Sequence, residues 1–329
     1  MKKLKLNRLY IAMYIFVILN LFFSCSNRNS PIILRFGHQA NDSDIWHKSS
    51  LKFKELVEEL SEGKIEVRVY PAEQLGKERD MIRSIKAGIV DMTTTGESMQ
   101  NWSKITVFCA VPYLIKNSDH LKKVVDGPVG QRISSEMIKN IGLRPIAYFE
   151  RGARNLTSNR PIATPEDLKG IIIRVPNVPI FVKTWTELGA KPTPMTLSEV
   201  FTALQQGTVE AQENPYALIN SAGFYEVQKY VNLTEHVIGW VYVVIGEEKY
   251  QSLPMELKDV IIRAGKLTQE YHQKIFKAEE KYLREELERK GMIIQTVDKV
   301  AFQEKASRAV RESLPEELTE IYEEIEKLN

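Results

Sequence analysis

A chain of 329 residues, 43% apolar and 27% charged, holds enough material for a sizeable soluble core and for two domains. Its net charge of +2 originates at the N-terminus, where Lys2, Lys3, Lys5 and Arg8 stand among residues 1–24 with no acid; the remainder sets 41 basic residues against 43 acidic ones. That balance excludes the basic surface that nucleic acids require.

The cationic start runs into an apolar stretch over residues 9–23, interrupted only by Asn20, and then Ser24-Cys25. Such a stretch is short of the roughly twenty residues that span a bilayer and reads as a targeting segment. The sequence FFSC resembles a bacterial lipoprotein signal, with Phe22 where that pattern usually carries Leu. The expectation is a signal peptide over 1–24, lipidation of Cys25, and a polar tether over 25–30; a plainly cleaved signal and an uncleaved anchor are the alternatives. One other cysteine follows, Cys109 in VFCAVPYL, which needs only burial to explain it.

Residues 32–37 (IILRFG) predict a first strand with a loop HQAN at its carboxyl end. Apolar residues at mostly helical spacing over 44–60 predict a helix, Gly63 its end, and the alternation of IEVRVY a second strand. A helix from about Lys77 to Gly88 and a short strand over 90–95 complete a strand–helix alternation, which means a parallel sheet with crossover helices. A second α/β unit begins near residue 146. IAYFERGARNLTS carries a strand into a polar loop with Arg151 and Arg154, and TPEDLKG makes one helical turn capped by Thr164.

The run GIIIRVPN (170–177) is a strand apolar on both faces that stops at Pro176, with Arg174 at its carboxyl end. A buried arginine needs a partner, and its planar fork fits a carboxylate. In α/β sheets ligands gather outside the carboxyl ends of strands. Two partners therefore suit Arg174: a protein Asp or Glu, or an acid from solution.

After a helix over 181–188, the capping box Thr196-Leu197-Ser198-Glu199 opens another helix that stops at Gly207. VEAQENP is a short strand ending at Asn214, held extended before Pro215. Residues 237–245 (VIGWVYVVI) predict one buried strand crossing back to the first unit. Residues 254–290 read as helix throughout; either Gly265 breaks it or it lies across both units as a brace. The tail from about Phe302 predicts one or two amphipathic helices.

No phosphate loop, GxSxG elbow, HExxH or metal-spaced cysteine pair occurs, and none of the five histidines has another within four residues. No metal, cofactor or enzymatic site is expected. What recurs at predicted strand ends and loops is amide and guanidinium chemistry: Gln39, Arg154, Arg174, Asn177 and Gln212-Glu213-Asn214. Such groups bind anionic, hydroxyl-bearing molecules without reacting with them.

From residue 31 onward the chain resembles the solute-binding proteins of tripartite ATP-independent periplasmic (TRAP) transporters, the dicarboxylate- and sialate-binding DctP type. The resemblance rests on FGHQAN (36–41), SEGKIEVRVYPAEQLG (61–76), RGARNLTSNRPI (151–162), DLKGIIIRVPN (167–177), the run from Leu188 to Pro215 ending in QENP, and FYEVQKYV (224–231). It implies a two-lobed, flytrap-like α/β fold with a long helix bracing both lobes. Lobe 1 is expected over 31–150 plus about 240–279, lobe 2 over 151–239 plus about 280–329. It further implies an exported, periplasmic protein that captures a small organic acid and delivers it to membrane permease subunits. A ligand-sensing lipoprotein of a signalling system is the alternative, and a carboxylate-processing enzyme a more remote one.

Residue by residue, the resemblance implies a bidentate ligand pair at Arg174, assistance from Arg154, and contacts from Asn214, Asn177, Gln39 and Glu78, with His236 lining the lobe interface. Where sialate binders carry an acidic residue, an arginine and a phenylalanine, this chain has Gly96, Met99 and Leu197. That favours a shorter sugar acid, a uronate or a dicarboxylate over sialate. Trp46, Trp185 and Phe181 are pocket walls or plain core.

Overall fold

The computed structural model describes residues 30–328. The signal segment, Cys25 and most of the tether lie outside them. Among the described residues no helix is long and apolar enough to cross a membrane.

The fold is two-lobed α/β. Lobe 1 opens with β1 (Ile32–Gly37), α1 (Ile45–Leu60), β2 (Ile65–Tyr70), α2 (Glu78–Lys86) and β3 (Met92–Thr95). Asp44 caps α1 by accepting from the Trp46 amide at 2.8 Å. Two 3-10 turns, α3 (Ser118–Asp126) and α4 (Pro128–Glu136) then lead to β4 (Leu143–Glu150). Lobe 2 carries β5 (Arg154–Ser158), β6 (Ile172–Val175), α5 (Pro179–Glu187), β7 (Lys191–Pro194), α6 (Leu197–Gln205), β8 (Ala211–Asn214), α7 (Tyr216–Ser221) and β9 (Tyr230–Val237). The chain returns through β10 (Trp240–Gly246) and α8 (Glu247–Ser252) into α9 (Met255–Arg289), then β11 (Ile293–Gln295), α10 (Lys299–Ser313) and α11 (Thr319–Lys327).

The first sheet runs β2-β1-β3-β10-β4 and the second β11-β9-β5-β8-β6-β7. β1 and β3 are parallel, while β10 enters antiparallel between β3 and β4. In the second sheet β6 lies parallel to both β7 and β8, and β5 antiparallel to β8 and β9. Only residues 151–153 and 238–239 separate the strands of one sheet from those of the other at the two crossings. The crossings are tied together by the Arg151 amide donating to the Gly239 carbonyl at 3.0 Å. Gly239 is required there, because a Cβ would come within 2.4 Å of the Cys109 carbonyl oxygen. The single strand expected over 237–245 is thus two, parted at that glycine.

Gly265 does not break α9, whose 35 residues extend about 52 Å at the usual helical rise. It lets the helix lie directly on β4, where a Cβ would stand 2.3 Å from the Ile146 carbonyl oxygen. His272, on the same helix, bridges Ser49 of α1 and the Glu150 carbonyl, and Leu283 and Leu287 join the apolar cluster of lobe 2. The helix therefore touches both lobes. At the C-terminus α10 packs on α5 and β9, but α11 turns back. The Ile325 carbonyl lies 2.9 Å from His120 Nε2, and Arg132 pairs with Glu324. Ile321, Tyr322 and Ile325 complete an apolar core shared with α3 and α4, so the last helix sits against lobe 1.

Candidate ligand-binding site

A cavity of about 300 Å³ lies where the carboxyl ends of β6 and β8 and the amino end of β5 face the loops of lobe 1. Three buried arginines reach it, and their partners differ. Arg154, 2% exposed, presents its Nε–Nη2 edge to the Glu213 carboxylate at 2.5 and 2.7 Å, and Nη2 donates again to the Glu213 carbonyl at 2.8 Å. Its Nη1 is buried without a partner. Arg151 gives Nη1 to both oxygens of Glu97 at 2.8 Å, leaving Nε buried and unpartnered.

Arg174, 4% exposed, donates Nε and Nη2 to the Met195 carbonyl at 3.0 and 2.6 Å and, among the described residues, forms no ion pair. Of the two partners that the sequence allows Arg174, the protein carboxylate is absent. Burial lowers its pKa to about 10, partly offset by the nearby charge of Glu213, so the group stays protonated at neutral pH. The Nη1–Nη2 edge, with two parallel donors, is left for the cavity.

The local sequence explains each placement. Pro176 terminates β6, so Arg174 sits at its end in register with Gln212 of β8 and Thr193 of β7. The Met195 carbonyl follows β7 directly and orients the guanidinium. Asn214 closes β8, and its amide nitrogen donates to Gln212 Oε1 at 2.7 Å. Arg154 begins β5 beside Val237 of β9.

Lobe 1 contributes oxygen acceptors. Glu78, at the start of α2, takes the Thr95 hydroxyl at 2.7 Å, the Ser98 hydroxyl at 2.9 Å and the Gly96 amide at 3.4 Å. Burial and the neighbouring Glu97 charge push its pKa up. Glu97 is held below the usual carboxylate range: burial acts against it, but the charges of Arg151 and Arg154 outweigh that. Glu213 behaves likewise, with burial overcome by Arg154 and by a hydrogen bond from His236, and falls to about 2.

Of the residues expected from the sequence, Arg174, Arg154, Asn214, Asn177, Gln39 and Glu78 all line this cavity. His236 is the correction. It stands one layer behind, fully buried, with Nε2 2.9 Å from Glu213 Oε2 and Nδ1 2.9 Å from the Thr234 hydroxyl. Burial lowers its pKa, so a neutral ring donates to Glu213 and accepts from Thr234. Trp46 and Phe181 are also backing: Arg151 stands 5.4 Å over the first and Arg154 5.3 Å over the second. Trp185 meets His236 edge-on at 5.1 Å. Leu197 is on the cavity wall, whereas Met99 is core.

Sequence reasoning missed Glu97, Arg151 as a lining residue, and the role of Glu213 as counter-ion of Arg154. One signal pointed to them. Each is a charged residue at or just beyond the end of a buried strand, where an unpaired charge is untenable.

The family model for bacterial extracellular solute-binding protein, family 7 (DctP), matches residues 36–317. The chain belongs to that family. Its members bind solutes and do not transform them. Among relatives, a solute-binding protein of Roseobacter denitrificans is 47% identical over 292 residues, 89% of this chain and 90% of that protein. The 2,3-diketo-L-gulonate-binding periplasmic protein YiaO of Escherichia coli is 32% identical over 282 residues, 85% of this chain and 86% of YiaO. A crystal structure of a TRAP periplasmic solute-binding protein from Roseobacter denitrificans with bound L-galactonate superposes with a TM-score of 0.88 at 46% identity, covering 90% of this chain and 99% of the other.

Proposed function

We infer that this family 7 protein captures a small sugar acid outside the cytoplasm and delivers it to a TRAP-type membrane permease, without altering it. The observation that carries this reading is Arg174, a buried cation with no counter-ion among the described residues, lining a cavity beside the orphaned Nη1 of Arg154. Buried donors of this kind ordinarily have acceptors. A ligand carboxylate on the Nη1–Nη2 edge of Arg174 supplies them, with Arg154 Nη1 and Asn214 as its neighbours. Gln39, Asn177 and Glu78 then face the rest of the molecule.

Two relatives named for or solved with six-carbon acids, L-galactonate and 2,3-diketo-L-gulonate, support an aldonate, keto-aldonate or uronate as ligand. Capture proceeds by lobe closure: the acid first meets lobe 2, and contacts from lobe 1 favour the shut form. Exclusion of water strengthens the carboxylate–guanidinium pairing. Export by the N-terminal segment and a lipid anchor at Cys25 would keep the protein at the membrane that holds its permease.

Isothermal titration calorimetry of the mature protein against L-galactonate, D-galacturonate, D-glucuronate and succinate tests this. Saturable binding of at least one sugar acid, abolished or weakened in Arg174→Lys, is expected. Absence of binding to every acid, or an Arg174→Lys variant with unchanged affinity, would sink it.

A further inference from the structure

Around the cavity three buried arginines stand against two buried glutamates, Glu97 on the wall and Glu213 behind it, each already paired. Among these five groups Arg174 is the one left without a paired carboxylate, which suits a single ligand carboxylate. Glu213 sits within the second sheet, but Glu97 and Arg151 are different. Both are more than nine-tenths buried, both line the cavity, and they meet where lobe 1 joins the crossing segment. Arg151 engages Glu97 through Nη1 alone and its Nε finds no acceptor. A carboxylate that receives one nitrogen keeps lone pairs free, and a guanidinium that gives one keeps donors free. Side by side they present a donor and an acceptor in fixed orientation, which is what a hydroxyl group satisfies on both sides at once.

Beside them stands Glu78, another carboxylate, held by Thr95 and Ser98. Of the remaining cations around the cavity, Lys77 pairs with Glu199 and Arg83 with Asp80, while Arg79 stands 5.9 Å over Trp102 with its Nε buried and unpartnered. We propose that the Arg151–Glu97 pair is the specificity element of the site. It reads a chain hydroxyl close to the ligand carboxylate, and with Glu78 turns away short dicarboxylates. The ligand class is therefore a polyhydroxy monoacid. This rests on Arg174 being the carboxylate anchor.

The test compares L-galactonate with succinate by calorimetry on the wild-type protein and on Glu97→Gln, which keeps the shape and removes the charge. Wild-type is expected to favour L-galactonate by at least about a hundredfold, the scale on which a site built for hydroxyls rejects a ligand lacking them. Glu97→Gln should shrink that ratio by about tenfold or more, from weaker L-galactonate binding and stronger succinate binding. Succinate bound as tightly as L-galactonate by wild-type overturns the inference, whether or not the variant folds. A folded Glu97→Gln with an unaltered ratio does the same while leaving the sugar-acid reading intact. Failure of both acids to bind, with Arg174→Lys indistinguishable from wild-type, would instead remove the anchor itself.

Discussion

The two walls of the cavity are built differently. On the lobe 2 side, Arg154, Arg174 and Asn214 stand on three neighbouring strands, β5, β6 and β8, fixed by main-chain carbonyls and by Glu213. On the lobe 1 side, Gln39, Glu78 and Glu97 come from a loop, the first residue of a helix and a 3-10 turn. Sheet-borne groups are placed more firmly than loop-borne ones. On the proposed reading the contrast divides the labour: the cationic wall takes the acid group, and the oxygen-rich wall tells one acid from another.

Removing the counter-ion of the rigid wall is the harshest way to break that contrast. Glu213→Gln strands Arg154 as an unpaired buried charge, so a loss of roughly 3–5 kcal/mol in unfolding free energy is expected, measured by urea denaturation. A loss under about 1 kcal/mol would mean that the pair does not hold the wall.

The walls are also separable by pH. His272 lies between α1 and β4 on the lobe 1 side, and burial takes its pKa from 6.5 to about 4. The unfolded chain then binds a proton that the native state refuses. Its contribution, on the order of 3 kcal/mol, is full above pH 6.5 and is lost as pH falls towards 4. Glu213, lowered to about 2, contributes above the unfolded carboxylate pKa and is lost only as pH falls from about 4.5 towards 2. Thermal melts across pH should show two successive declines, the upper one shallower in His272→Gln, since buried His38 is also lowered to about 4 and contributes over the same window, and the lower one shallower in Glu213→Gln. Declines of unchanged depth in both variants would contradict the assignment.

Arg174→Lys sharpens the comparison at the ligand. It keeps a charge and loses the fork, so affinity should fall by roughly 1.5–3 kcal/mol while the unliganded melting temperature stays put. The smallest effect is expected where the walls touch at the surface. Lys77 and Glu199 pair across the cleft at 2.7 Å with both side chains about half exposed, so Lys77→Ala should weaken binding by at most about 1 kcal/mol, mainly through faster ligand release in stopped flow.

Much of the scaffold was legible because its cues are local. The alternation in IEVRVY and the capping box at Thr196–Glu199 each depend on a few adjacent residues, and β2 and α6 stand where those cues put them. Arg174 could be picked out because a charge at the end of an apolar run advertises itself. Its freedom from a protein partner could not be read, since that depends on what the fold brings near. The Arg151–Glu97 and Arg154–Glu213 pairs join residues 54 and 59 positions apart, a separation that no spacing rule reaches. His236 was misplaced for the same reason: the alternation of β9 shows that it is buried, not which layer it occupies. The stretch after β3 gave no expectation, because two 3-10 turns and a π turn share no single period.

The glycine at 265 has a mechanical corollary. By seating a 35-residue rod flush on the Ile146 carbonyl at one end while Leu287 is clamped at the other, it turns that rod into a leaf spring joining the jaws. On the proposed lobe closure, opening or shutting the jaws requires the spring to flex or slip, so part of the cost of gripping a molecule is elastic and is met far from the molecule gripped.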